Sequence, residues 1–195
     1  MAIRGRPRSF DRDLALRRAM EVFWEKGYEG AQLRDLTAAM GVAPPSFYAA
    51  FGSKEAAFRE AVELYVATVG AKPIRALDEA DTARAGIRAM LAGSAEVALA
   101  SRSGGCLLIL GVVNCLPETD ALRELLKAMR RTTLDRVRKR LRRGVREGDL
   151  PANTDTKRLA TFYSAIMQAI SLRARDGATR AELGAVIGSA MAALA

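Results

Sequence analysis

Apolar residues recur along this chain at spacings of three and four, the period at which an α-helix turns one face inward. The first such stripe, Ala15, Leu16, Ala19, Met20 and Phe23, predicts a helix from Asp11 to Lys26, closed by Gly27, with Trp24 and Tyr28 extending its core. A short second helix spans 33–40 with Leu33, Leu36 and Met40 inward, and Gly41 ends it. The third starts at Pro44, where a missing N–H costs nothing because the first amides of a helix lack intrahelical partners, and runs to Ala50. Ser53 caps a fourth that carries Phe58, Ala61, Val62, Tyr65 and Val69 inward as far as Gly70.

Lys72-Pro73 breaks the pattern, which places a boundary within 70–80 with the fourth helix as the connection. Ile87, Met90, Leu91, Ala95 and Leu99 then predict a helix over 82–100. The run CLLILGVVNC, residues 106–115, is apolar on all sides and therefore buried, and ten residues are too few to cross a bilayer. Pro117 opens a long helix ending near Gly148, and the last two run over 156–175 and 179–193, the second with capping-box spacing from Thr179 to Glu182. β-Branched residues are scattered and good helix formers dominate. The expected fold is all-α, with about nine helices.

Composition narrows the function. The 195 residues suit one domain, or a small one fused to a larger one. There is no histidine, which removes Ser-His-Asp and Cys-His catalysis and the commonest zinc ligand, and the two cysteines cannot make a four-cysteine metal site. No catalytic residue, cofactor or metal is expected, and neither is enzymatic activity. The start MAIRGRPRSF leads straight into charge, so no targeting or membrane segment is expected and the natural setting is a reducing cytoplasm.

A net charge of +9 raises the prior for a polyanionic partner. Nine basic and one acidic side chain fall within residues 130–146, but Leu134, Val137, Leu141 and Val145 recur there at helical spacing. That run reads as a solvated outer helix face whose Arg stems cover apolar surface. The other concentration, Arg4, Arg6 and Arg8, reads as a flexible arm over residues 1–9 suited to phosphates or a minor groove.

The informative segment is QLRDLTAAMGVAPPSFYAAFGSKEAAF, Gln32 to Phe58: two short helices joined by a tight turn at Gly41-Val42-Ala43, a helix-turn-helix whose second helix presents its N-terminal residues to a major groove. With GYEG before it, the segment resembles the DNA-binding domain of the TetR family of transcriptional regulators. The matching residues are Phe23, Gly27, Tyr28, Leu33, Leu36, Gly41, Val42, Tyr48, Phe51, Ser53, Lys54, Glu55 and Phe58. Gln32 and Ala43 stand where the family usually has Ser or Thr caps, so both helix starts are expected to be weak. Pro44 and Pro45 replace small or polar residues, which favours apolar contact with thymine methyls and leaves Ser46 as the hydrogen-bonding reader.

The resemblance implies a helix-turn-helix domain over 10–55 and a ligand-binding and dimerisation domain over 56–195. The implied partners are double-stranded operator DNA, a second copy of the chain and a small effector, with no membrane. Candidate DNA contacts are Arg6, Arg8, Gln32, Arg34, Pro45, Ser46, Tyr48 and Lys54, the last two to phosphates, while Phe47 and Phe51 are assigned to packing. A single reading helix offers little contact, so a dyad pair reading adjacent grooves is expected. Its interface is assigned to the last two helices through Ile166, Ile170, Leu183, Val186, Ile187 and Ala190, with Gly184, Gly188 and Ala192 on a second stripe that permits close approach. Apolar faces place an effector pocket among Met90, Ser94, Val97, Leu107, Leu110, Val113, Asn114, Phe162 and Tyr163, suited to an uncharged hydrophobic molecule. Two alternatives are a helical small-molecule binder or enzyme without DNA binding, and a thiol-based sensor acting through Cys106, placed near a helix start that would lower its pKa.

Overall fold

The computed structural model describes residues 10–102, 104–112 and 117–194, and all regular structure among them is helical. The first four helices are α1 (Arg12–Gly30), α2 (Leu33–Met40), α3 (Pro44–Phe51) and α4 (Lys54–Ala67). The remainder are α5 (Ala71–Glu79), α6 (Ala83–Ala100), α7 (Leu107–Leu110), α8 (Asp120–Glu147), α9 (Thr156–Arg175) and α10 (Arg180–Ala190), with short 3-10 turns at Pro117–Thr119 and Met191–Leu194. The arm residues Arg4, Arg6 and Arg8 lie outside the described residues.

Helix ends follow local chemistry. The Asp11 carboxylate accepts the N–H groups of Asp13 and Leu14 at 2.9 and 3.0 Å, Ser53 Oγ accepts that of Ala56 at 3.0 Å, and Thr179 and Glu182 close their capping box. The start of α2 is firmer than expected. The Asp35 carboxylate accepts the Gln32 N–H at 3.2 Å and pairs with Lys26 at 3.0 Å, contacts that hold its carboxyl below the usual range, Lys26 contributing most. Gly27 interrupts α1 with φ 67° and ψ 178°, a combination essentially confined to glycine.

Two expectations need correction. Lys72-Pro73 does not end regular structure: Pro73 is the third residue of α5, still within the turn whose amides need no intrahelical acceptor, and it is buried with Leu77. The apolar run after Cys106 forms only the four-residue α7 among the described residues, with residues 113–115 outside them.

Two cores result. Phe23, Phe47, Phe58, Leu36 and Tyr65 anchor the first, which continues into Leu107, Leu122 and Leu126, so the N-terminal lobe is packed directly onto α7 and α8. Ile87, Leu91, Leu141, Tyr163, Ile170 and Leu183 form the second, among α6, α8, α9 and α10. On α8 the arginine-rich run mostly faces outward, as the apolar spacing implies, with Arg136 paired to Asp78 and Arg143 to Glu147. Arg140 is the exception. It is 3% exposed, donates to the Ala80 carbonyl at 3.0 Å and lies 4.0 Å from the Asp149 carboxylate.

Candidate nucleic-acid interface

The geometry of α3 is set from its buried side. Phe47 and Phe51 are buried in the first core with their rings 5.5 Å apart, as their assignment to packing requires. Pro44, Pro45, Tyr48 and Ala49 are left on the solvent side, with Ser46 half-buried between the two faces. Tyr48 is 51% exposed, an amphipathic side chain in edge contact with Phe47 at 5.5 Å.

Two arginines that sequence periodicity marks only as surface charge hold this unit together. Arg12 pairs with Glu60 on α4 at 2.7 Å, donates to the Ala50 carbonyl at 3.3 Å and sits 4.7 Å from the Phe51 ring, which ties the end of α3 to α1 and α4. Arg18 donates to the Ala39 carbonyl at 3.3 Å, steadying the end of α2. Neither role has a signal in the sequence, because each depends on partners more than 20 residues away.

Gln32 and Arg34 are exposed at the start of α2. Lys54 is less free than a surface lysine. Its ammonium donates to the Tyr28 and Ala31 carbonyls at 3.0 and 3.2 Å and lies 4.2 Å from the Tyr28 ring centroid, clamping the start of α4 to the end of α1. An ammonium has three donors, so one remains for an anion. Arg6 and Arg8 lie outside the described residues.

The same end of α1 meets the second lobe. Trp24 Nε1 donates to the Gly105 carbonyl at 2.9 Å, the Tyr28 amide to the Gly111 carbonyl at 2.8 Å, and Arg175 to the carbonyls of Glu25 and Trp24 at 2.9 and 3.3 Å. The segment 105–111 between those two carbonyls also lines a cavity. A space of about 580 Å³ opens between α4–α5 and α8, lined by the apolar Val66, Ile74, Leu108 and Met129, the hydroxyls of Thr132 and Thr133, and the charged Arg75, Asp78, Glu79 and Arg136. A narrower recess of about 60 Å³ continues inward past Leu108 to Tyr65, Ser94, Val97, Cys106 and Met167.

Of the expected pocket residues, Ser94 and Val97 therefore line the recess. Met90 and Leu107 are spent in the cores, and Tyr163 is buried with its hydroxyl donating to the Ala190 carbonyl. Leu110 is half-buried against Gly105, Val113 and Asn114 lie outside the described residues, and Phe162 faces outward at 36% exposure. The walls contributed by α4, α5 and α8 were not legible, since the cavity arises where helices distant in sequence diverge. Cys106 faces this recess with Tyr65 O–H donating to Sγ at 3.2 Å, but burial raises its pKa. The expected lowering fails because α7 is a single turn and desolvation outweighs its hydrogen bonds.

The residues expected at the dimer interface fall into two groups. Ile170, Leu183, Ile187 and Ala190 are buried in the protomer's own second core, and Ile166 and Val186 are only partly accessible. Most of the large aliphatic stripe is consumed inside the protomer. The apolar and small positions left exposed include Phe162, Ala165, Ala169 and Leu172 on α9, Ala181, Gly184, Ala185 and Gly188 on α10, and Ala192 in the 3-10 turn that follows. A Cβ built on Gly184 or Gly188 would meet open space, so a second helix can approach closely there.

A profile described as bacterial regulatory proteins, tetR family, matches residues 15–61, and one described as tetracyclin repressor-like, C-terminal domain, matches residues 83–187. The chain is 32% identical over 193 residues to the HTH-type transcriptional repressor ComR of Escherichia coli (strain K12), covering 96% of this chain and 90% of that one. A solved structure of a cysteine mutant of the TetR family transcriptional regulator CifR, complexed with 26-bp double-strand operator DNA, shares 45% identity and a TM-score of 0.92 over 97% of this chain and 100% of that one. A second CifR cysteine mutant with the same length of operator gives 44% identity and a TM-score of 0.91, covering 98% of this chain and 100% of that one.

Proposed function

This chain belongs to the TetR family of transcriptional regulators, and on that premise we propose that it is a dimeric, ligand-responsive repressor. It binds operator DNA in the cytoplasm and leaves when a small apolar effector enters the cavity between α4–α5 and α8. The observation that carries this reading is the outward face of α3, with Tyr48 half in solvent while Phe47 and Phe51 fix the helix from behind. The helix-turn-helix domain comprises residues 10–55 and the effector and dimer functions residues 56–195. Tyr48 and the remaining donor of Lys54 meet phosphates, Gln32 and Arg34 flank them, and Arg6 and Arg8 extend the charged contact. Two copies related by a dyad, joined through the Phe162–Leu172 and Gly184–Gly188 faces, set two reading helices at adjacent major grooves.

Release follows from what links the cavity to α1. An effector that displaces Leu108 moves the segment whose Gly105 and Gly111 carbonyls hold Trp24 and Tyr28, and so shifts the preferred orientation of the N-terminal lobe. Because the coupling is thermodynamic, operator must weaken effector by the factor with which effector weakens operator. Titrating salt against affinity for the duplex upstream of the chain's own gene tests the assignment. Phosphate neutralisation predicts a steep log–log slope that is shallower in Lys54→Ala, whereas Tyr48→Ala, which removes no charge, lowers affinity and leaves the slope nearly unchanged. A flat slope, or wild-type affinity in Tyr48→Ala, contradicts it.

A further inference from the structure

The reading helix is unusual in what it does not offer. Pro44 and Pro45 have no N–H, and the next two amides, of Ser46 and Phe47, both donate to the Ala43 carbonyl at 3.0 and 3.1 Å. The first turn of α3 therefore turns no amide donor toward a groove. Its side chains add little polarity: PPSFYAAF contains no charged, amide or imidazole group, and only Ser46 and Tyr48 carry a hydroxyl. The bidentate pairs that usually distinguish guanine and adenine, made by Arg, Lys, Asn or Gln, cannot come from this helix.

The exposed surface is instead hydrocarbon. Pro45 and Ala49 stand one helical turn apart on the solvent side, with Pro44 beside them, while Ser46 is half-buried. In a major groove the apolar group available to such a surface is the C5-methyl of thymine. Four residues of helix advance about 6 Å, or roughly two base-pair steps of about 3.4 Å, so Pro45 and Ala49 can each cover a different base pair of one half-site.

We propose that this chain distinguishes its operator chiefly by thymine methyl groups packed against Pro44, Pro45 and Ala49, with Ser46 as the one direct hydrogen-bonding reader on α3. The inference rests on the reading of α3 as the groove-entering helix, and it adds which base feature that helix selects. Methyl recognition is tolerant of the exact approach and is backed by phosphate contacts that hold the helix in register.

The test uses the full-length protein and a pool of random duplexes at low ionic strength. The enriched duplex is remade with deoxyuridine replacing thymidine one position at a time, which deletes the methyl and leaves base pairing intact. Two or three neighbouring positions in each half-site should each weaken binding about four-fold, the equivalent of one buried methyl-sized group at about 0.8 kcal/mol. Replacing symmetric positions together should weaken it about 16-fold. In Pro45→Ala and Ala49→Gly proteins the uracil penalty should shrink at the position each side chain covers. That penalty is a ratio within one protein, so it stays readable if a variant is less stable. Absence of any uracil-sensitive position, or equal penalties in wild type and both variants, overturns the proposal while leaving the regulator reading intact. Failure of the pool to enrich any duplex overturns both.

Discussion

Leucine 172 separates two faces of the same helix. It is 53% exposed on the outside of α9, whereas Ile170, two residues earlier, is fully buried in the second core. If α9 and α10 pair across a dyad, Leu172 loses that exposed half on dimerisation. Fully burying a leucine side chain is worth about 1.5–3 kcal/mol, so half of it contributes about 0.8–1.5 kcal/mol per copy. A two-fold interface uses the residue twice, so Leu172→Ala should weaken the dimer by about 1.5–3 kcal/mol, or about 10- to 150-fold in dissociation constant. Sedimentation equilibrium over a range of protein concentrations reads this directly. Ile170→Ala serves as the contrast: it should cost about 2–5 kcal/mol of protomer stability through the cavity it leaves, visible in thermal melting. An unchanged dissociation constant in Leu172→Ala would refute the assignment of this face, as would a wild-type protein that stays monomeric throughout.

Tyr48→Ala should fold normally and lose affinity across all duplexes. Lys54→Ala should lose affinity and also melt earlier, since two carbonyls at the end of α1 lose a charged donor; gel retardation and melting of both proteins check this, and a Lys54→Ala protein of wild-type stability contradicts it. Gly27→Ala forces a side chain into a glycine-only conformation with its Cβ 3.1 Å from the Gly111 carbonyl oxygen, and should cost about 1–3 kcal/mol in urea unfolding; a wild-type midpoint would show that the join between lobes is not rigid. Because burial raises the Cys106 thiol, its thiolate appears only at higher pH than that of free cysteine, so iodoacetamide should alkylate a Cys115→Ser protein more slowly than free cysteine at pH 8. Alkylation as fast as free cysteine would restore the thiol-sensor reading.

The sequence was most legible where one element decides its own fate. The stripe from Ala15 to Phe23, the break at Gly27, the caps at Ser53 and Thr179, and the inward Phe47 and Phe51 all follow from local spacing, and the structure keeps each of them. Legibility fell where an apolar residue had to choose between two burials. Nothing local distinguishes Ile170, used by the protomer core, from Leu172, left outside, nor Tyr163 inside from Phe162 outside. The cavity was least visible, because Val66, Ile74, Leu108 and Met129 come from four separate helices. Pro73 misled for a different reason: a proline signals a break only beyond the first turn, and where α5 begins was not apparent.

Hydroxyl-radical footprinting of the full-length protein on its enriched duplex tests the account most directly. Two related patches of protection, flanking major grooves whose centres lie about 34–36 Å apart and both lost in Tyr48→Ala, are the result expected of paired α3 helices. A single patch, or protection that persists unchanged without the Tyr48 ring, would mean that DNA is held by some other surface.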